Sequence, residues 1–363
     1  MNAWVELSPQ VSSPNLVYQA FVGVRQAQPH LGLKGWSRLL ATSEGELQAS
    51  RLGQEDVRSL ADTFSLLYQL AGLGELEICT FNDAGWAKYR GRFAPPDLCL
   101  ENPHYLGLEF RANHLRLQLN MDQWYWGCAV EDRPSGGRVQ KSLQFFTGSG
   151  DRFLKIQATA NTSQVAWKKL LFSFAGQQEA SKPLFAPQNK PLNKTLASDD
   201  LLAFARDWRW MTSPNQLPLL LSRYQTSYLA ALQQLKEKFA REVSLNALSE
   251  VLRQVGSLPA SESKPELELS VYSEGCLQRM HGILQAPRLQ HKDLCIAYAE
   301  GCIHLDPQML EEAWVVRKPQ GDQWITSLEV FDPKGQQVLQ LQEYKPAAHP
   351  ENLLLRQIFH TLS

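Results

Sequence analysis

The sequence predicts an α+β protein with an internal structural duplication, two large antiparallel β-sheet halves flanked by helices. Three observations carry that expectation. First, "ELEICTFNDAGWAKYRG" (75–91) and "ELELSVYSEGCLQRMHG" (266–282) align without a gap at an offset of 191, setting Ile78 on Leu269, Phe81 on Tyr272 and Gly91 on Gly282. Second, "KSLQFFTGSGDRFLKI" (141–156) repeats as "TSLEVFDPKGQQVLQL" (326–341) at an offset of 185, and "CAVEDRP" (128–134) as "AWVVRKP" (313–319). The drift between offsets is loop length, which surface connections tolerate. Third, the repeated blocks alternate apolar and polar residues as half-buried antiparallel strands do, and each hairpin block is followed by a segment of helical period.

Taken in order, the first half opens with helices. "GWSRLLATSEGELQASRLG" contains Ser43 and Glu46 at capping-box spacing, and "EDVRSLADTFSLLYQLAG" is amphipathic. Strands follow, and "TGSGD" (147–151) lies between two of them, so its glycines mark a hairpin turn and not a phosphate cradle. "TSQVAWKKLLFSF" (162–174) closes the half as a helix. Residues 175–200 hold three prolines and few large apolar side chains, the composition of a linker. The expected division is therefore an N-terminal repeat at 1–175, a linker at 176–200 and a C-terminal repeat at 201–363.

Helices resume after the linker. Ser198 with Asp199 and Asp200 is placed to cap "LLAFARDWRW", and "LPLLLSRYQTSYLAALQQLKEKFARE" reads as one helix. "SLNALSEVLRQVG" follows, with Ser244 as cap and Gly256 as stop. "ELELSVY" alternates Leu267, Leu269 and Val271 against Glu and Ser, "DPKG" turns the last hairpin, and "PENLLLRQIFHTL" (350–362) is the closing helix.

Composition narrows the function. A chain of 363 residues with 44 % hydrophobic content is long enough for two units with real cores. Lys and Arg total 36 against 37 Asp and Glu, so no whole-molecule attraction to nucleic acid or an anionic membrane is expected. No apolar run approaches the ~20 residues of a bilayer span, and "MNAWVELSPQ" is not a secretory signal. The six cysteines are scattered without CxxC or zinc-finger spacing, which reads as buried free thiols in a reducing cytoplasm. Walker, G-x-G-x-x-G, H-E-x-x-H and G-x-S-x-G motifs are all absent, and no independent catalytic constellation stands out.

"SLQFFTGSGDRFLKI", "AWVVRKP…TSLEVFDPKG" and "WRWMTSPNQLPLLL" together resemble the HemS/ChuS/HmuS haemin-degrading, haem-utilisation family, over nearly the whole chain. The resemblance implies a cytoplasmic bacterial protein that receives haem after import, as a carrier or as an enzyme that opens the macrocycle. Haem would be ligand or substrate, a haem-import system on the cytoplasmic side a partner, and no metal is implied beyond the haem iron. It also implies a cleft between two related halves, a common location for a large flat ligand.

Four positions carry over from the resemblance: Arg116, Asn215, Tyr228 and Lys345. The family's axial His stands in a stretch like "MTDVHQF"; here the stretch is "MTSPNQL", and Asn215 takes the His position. An amide oxygen is a poor ligand for ferric iron beside imidazole, thiolate or phenolate. The family's second basic contact falls on Tyr228. Arg116 in "HLRLQL" keeps the N-terminal Arg, and Lys345 in "YKPAAHP" keeps a C-terminal Lys-Pro. Substitute axial ligands would be Tyr228 or Tyr224, four apart on the expected helix, or His104 or His114, the latter sharing a strand face with Arg116. The family's "CIQIHTG" is "CLQRMHG" here, with Met280 in the His position and His281 displaced by one. His304, in "CIHLDP" before a turn capped by Asp306, suits a supporting role. Loss of the axial His argues against turnover. The competing reading is a diverged member that holds another planar ligand or a protein partner.

Overall fold

In the computed structural model the described residues are 14–99, 107–133, 137–175, 183–186, 196–259, 264–282, 287–290, 293–298, 300–345 and 349–362. The first half contributes β1 (Val57–Ser59), β2 (Gly74–Phe81), β3 (Gly85–Arg92), β4 (Asp97–Cys99), β5 (Gly107–Ala112), β6 (Leu115–Asn120), β7 (Trp126–Asp132), β8 (Gln140–Phe146) and β9 (Arg152–Thr162). The second contributes β10 (Ala240–Val243), β11 (Leu267–Tyr272), β12 (Cys276–Gly282), β13 (Arg288–Gln290), β14 (Asp293–Ala297), β15 (Gly301–Leu305), β16 (Glu312–Gln320), β17 (Gln323–Phe331) and β18 (Gln337–Glu343). They form two antiparallel sheets, as the repeat predicts.

The halves do not keep their strands to themselves. The first sheet runs β1-β7-β8-β9-β2-β3-β15-β14-β13 and the second β10-β16-β17-β18-β11-β12-β6-β5-β4. Each thus takes six strands from one half and a three-stranded meander from the other. The seams are β3 with β15, Gly85 opposite Leu305, and β12 with β6, Arg279 opposite Arg116. Glycine makes the first seam possible. A Cβ on Gly85 would stand 2.0 Å from the His304 carbonyl oxygen, and one on Gly301 2.3 Å from that of Lys88.

The inner faces share one apolar core. Leu76 and Ile78 of β2, Leu117 and Leu119 of β6, Leu269 of β11 and Met280 of β12 all belong to it. Thr80 donates to Gln278 Oε1 at 2.7 Å inside it, tying sheet to sheet. Helices α4 (Thr63–Gln69), α5 (Gln164–Phe174), α9 (Ala247–Ser257) and α10 (Leu353–Thr361) close this core through Leu66, Trp167, Val251 and Phe359. The outer face of the first sheet is covered by α1 (Pro14–Ala27), α2 (Leu33–Leu39) and α3 (Glu44–Ser50), packed on Cys128, Val130 and Phe146. The outer face of the second is covered by α6 (Ser198–Trp210), α7 (Leu217–Tyr224) and α8 (Tyr228–Gln234), packed on Trp314, Val316 and Phe331.

Local chemistry matches several expectations. Ser43 and Glu46 form the capping box of α3, Ser163 caps α5, and Gly150 and Gly335 take positive φ in the two hairpin turns. Other boundaries move. Residues 57–59 pair with β7 and are not helical, Ala197 and Asn246 precede α6 and α9 without side-chain caps, and Gly256 lies inside α9. The single helix expected from Leu217 breaks at Gln225, which is left-handed at φ 52°, and restarts at Tyr228 under a Ser227 cap; its tail becomes β10. Tyr224 and Tyr228 therefore end one helix and begin the next. Cys79, Cys128, Cys276 and Cys295 are buried, and Cys302 is half-buried. Linker residues 176–182 and 187–195 lie outside the described residues.

Candidate functional site

A cavity of about 920 Å³ opens on the outer face of the second sheet. Its floor is the outward-facing row of β6, β12, β11 and β18, with Arg116, Gln118, Arg279, Glu268, Gln340 and Gln342. Strand alternation puts them there, because Leu115, Leu117, Cys276, Gln278 and Met280 point the other way into the core. One wall is the turn from Ser213 to Asn215 with Pro218 and Leu221 of α7 and Tyr228 of α8; the opposite wall holds Lys34 and Arg38 of α2 and Glu44 of α3. Both halves therefore build it.

The floor carries a row of arginines. Arg111, Arg116 and Arg279 stand in register on β5, β6 and β12, the last two facing the cavity. Like charges directly opposite one another destabilise a sheet unless something neutralises them. Glu109, 4 % exposed, does so for Arg116 through bonds of 3.0 and 3.2 Å, and it also accepts from Arg111 at 2.7 Å. Burial pushes the Glu109 carboxyl up, but those hydrogen bonds and charges outweigh it and hold it below its usual value. Arg116 Nε is buried with no partner, and the Arg279 guanidinium, whose charge acts on Tyr272, forms no side-chain hydrogen bond or ion pair among the described residues. Four other cations of the cavity are committed, Lys34 to the Asn82 and Asp83 carbonyls, Arg152 to Glu44, Lys334 to Asp83 and Lys318 to Glu329, while Arg38 is exposed on the wall.

Tyr228 lies over that last pair, with Lys318 Nζ 5.8 Å from its ring centroid. Glu329, fully buried, is held by Lys318 at 2.5 Å, Ser327 at 2.7 Å and Gln337 at 2.9 Å. The Tyr228 hydroxyl is buried beside the Glu329 carboxylate. Burial first, and the Glu329 charge second, hold its pKa well above the ordinary 10. Both effects disfavour the phenolate form.

The structure brings Arg116, Asn215 and Tyr228 together around one cavity. Asn215 is exposed on its turn, with its N–H donating to Ser213 Oγ at 3.2 Å. Lys345 lies outside the lining and donates to the His349 carbonyl at 2.8 Å. Tyr224 is also outside it, donating to Asp207 at 2.8 Å. His114 does not share the Arg116 strand; it sits in the β5–β6 turn, exposed, and does not line the cavity. His104 lies outside the described residues. His304 belongs to β15 and stacks on Trp86 at 4.2 Å. Arg279 is a cavity residue that sequence reasoning misses. Its motif is visible in the repeat, but only the pairing of β12 with β6 shows that it neighbours Arg116.

The fold is therefore a two-sheet α+β duplication with exchanged meanders and an arginine-floored cleft. The sequence profile described as "Haemin-degrading HemS.ChuX domain" matches residues 225–352, and that described as "Haem utilisation ChuX/HutX" matches 57–170. The chain is 28 % identical over 338 residues to the hemin transport protein HmuS of Yersinia pestis, covering 92 % of this chain and 94 % of HmuS. Among solved structures it resembles the "heme degrading enzyme ChuS" of Escherichia coli, with TM-score 0.84, 25 % identity and coverage of 96 % and 99 %. It also has the fold of holo-PhuS of Pseudomonas aeruginosa, with TM-score 0.85, 23 % identity and coverage of 97 % and 99 %. The two family models, the curated relative and the ChuS structure all support a place for this chain in the HemS/ChuS family.

Proposed function

We propose that the protein binds haem in the cleft over the second sheet and acts as a cytoplasmic haem carrier in bacterial haem uptake. The observation that carries this is the Arg116–Arg279 pair: two guanidinium groups side by side, one incompletely neutralised and the other unpaired among the described residues, facing a cavity of about 920 Å³. A flat dianion such as haem, with two propionates on one edge, answers that charge through charge-assisted bidentate contacts. Pro214, Leu217, Pro218 and Leu221 supply an apolar wall for the ring. HmuS, named a hemin transport protein, lends support to the same reading.

Carriage is preferred to turnover for two reasons. Asn215 stands where the family resemblance puts the axial His, and the hydroxyl of Tyr228 is buried beside the Glu329 carboxylate, which disfavours a phenolate ligand there. A haem held by its propionates and its face, without a strong protein ligand to iron, is suited to being passed on. A haem-import system would be the donor.

The test is a haem titration of the purified protein by absorbance, with Arg279→Ala and Arg116→Ala alongside. Saturable one-to-one binding is expected, weakened roughly 10- to 100-fold in Arg279→Ala, the worth of a charge-assisted bond. A spectral change no larger than an unrelated protein gives would remove haem from the reading and leave another planar anion as the ligand.

A further inference from the structure

We infer that His114, Glu266 and His281 form a site for one divalent transition-metal ion at the rim of the cleft, where the exchanged meander meets the C-terminal half. The site needs no haem. The two imidazoles and the carboxylate each offer one ligand atom, and these atoms all lie within 4.8 Å of one another. His281 Nδ1 is already 3.0 Å from Glu266 Oε1. Ligands around a tetrahedral ion with bonds near 2.1 Å stand about 3.4 Å apart. His114 and Glu266 are exposed, so side-chain rotation alone can close the remaining gap.

The corner is built to hold its imidazoles. His281 is only 12 % exposed and stacks on Tyr344 at 3.6 Å and 7°, which fixes its ring plane. The His114 ring meets it edge-on at 5.1 Å. The backbone locks the segments together: the His281 N–H donates to the His114 carbonyl at 3.1 Å, and the Tyr344 N–H to that of Glu266 at 2.8 Å. Along β12, His281 follows Arg279 by two residues, and Glu266 precedes Glu268 by two, so the cluster continues the cleft floor one row outward.

The repeat supplies an internal comparison. In the other sheet the same corner is made by the Arg90 N–H donating to the Glu300 carbonyl at 2.8 Å, with Glu75 in the place of Glu266, Arg90 in that of His281 and Thr159 in that of Tyr344. There Thr159 binds Glu75 at 2.8 Å. The fold thus closes this corner without any imidazole. The two histidines are a feature of one corner, not a requirement of the architecture.

Two nitrogens and one oxygen suit zinc, nickel, cobalt or ferrous iron, and do not suit calcium or magnesium, which take oxygen ligands. With three protein ligands the ion keeps at least one open position. Because His114 comes from the N-terminal half and the other two from the C-terminal half, the ion would also clamp β6 to β12.

Calorimetric titration of tag-free, chelator-stripped, haem-free full-length protein with Zn²⁺ tests this. The expected result is one ion per chain, at least tenfold weaker in His114→Ala and in His281→Ala, with Mg²⁺ giving no heat. Zn²⁺ should also raise the unfolding temperature of the parent and not of His114→Ala, a change in an exposed turn that leaves the Tyr344 stack in place. Zinc affinity unchanged in His114→Ala would overturn the assignment. So would affinity lost on Cys295→Ser, since Cys295 Sγ and His304 Nε2, 3.4 Å apart, are the competing pair.

Discussion

At the scale of single residues, the site is governed by which groups keep their protons and which lack partners. Tyr228 is readable as a family position, but its role depends on Glu329 and Lys318, which lie about a hundred residues away in sequence and arrive only through folding. Because its hydroxyl is buried beside the Glu329 carboxylate, which disfavours a phenolate there, Tyr228→Phe should change haem affinity by less than about threefold, and haem absorbance should show no phenolate signature for the substitution to remove. A large loss of affinity would instead make Tyr228 the ligand. The same burial makes the protein base-labile. Tyr228 and Tyr298 are raised well above 10, and the thiols of Cys79 and Cys276 are pushed up to about 11 and about 12, all chiefly by burial. The unfolded chain releases these protons first, so it binds fewer protons than the native state and stability falls as pH rises. Cys276 alone should cost about 1.4 kcal/mol per pH unit between 9 and about 12. Urea unfolding at pH 7.5, 9 and 10.5 should show a flat first interval and a steep second one, the latter shallower in Cys276→Ala.

Elements are legible where local chemistry decides them. The α3 capping box, the Ser163 cap and the two glycine turns are short-range devices, and all are present. The single helix expected from Leu217 to Glu242 fails because its apolar spacing is continuous through a break. Left-handed Gln225 lets α7 end and α8 turn so that Tyr228 faces the sheet, and tertiary packing overrides propensity there. Left-handed backbone costs an L-residue roughly 1 kcal/mol, so Gln225→Gly should leave the protein as stable or more so by about that amount in thermal unfolding. Gly85→Ala should do the reverse. With 2.0 Å between the added Cβ and the His304 carbonyl, β3 and β15 must part, and a loss of several kcal/mol is expected. A Gly85→Ala protein as stable as the parent would mean that this seam does not hold the sheets together. Nothing local marks that seam; glycine in a strand pattern signals close approach without naming the partner.

For the whole molecule, the repeat is legible because it is written twice, whereas the exchange of meanders is not, because a strand's own residues do not say which copy of an edge it will meet. Met280 lies opposite Leu115 of the other half, but an apolar pair of that kind would fit equally well within one half. The exchange gives the duplication a physical purpose. It places Arg116 and Arg279 from different halves on one floor, and it buries the β3 and β12 edges that a six-stranded sheet would leave open. It also dictates what a lone repeat must do. Residues 1–175 carry six strands with an open β3 edge, plus a meander of β4 to β6 that β12 normally receives. The available complement for both is a second copy of the same half, paired by a twofold axis in which each copy donates its meander. Expressed alone, 1–175 or 201–363 should therefore run as a homodimer in sedimentation at micromolar concentration. The two expressed together should recover the one-to-one pair. A half that sediments as a stable monomer with unchanged strand content would show that the meander can fold back onto its own edge, and that the linker, not the geometry of the sheets, selects the exchanged form.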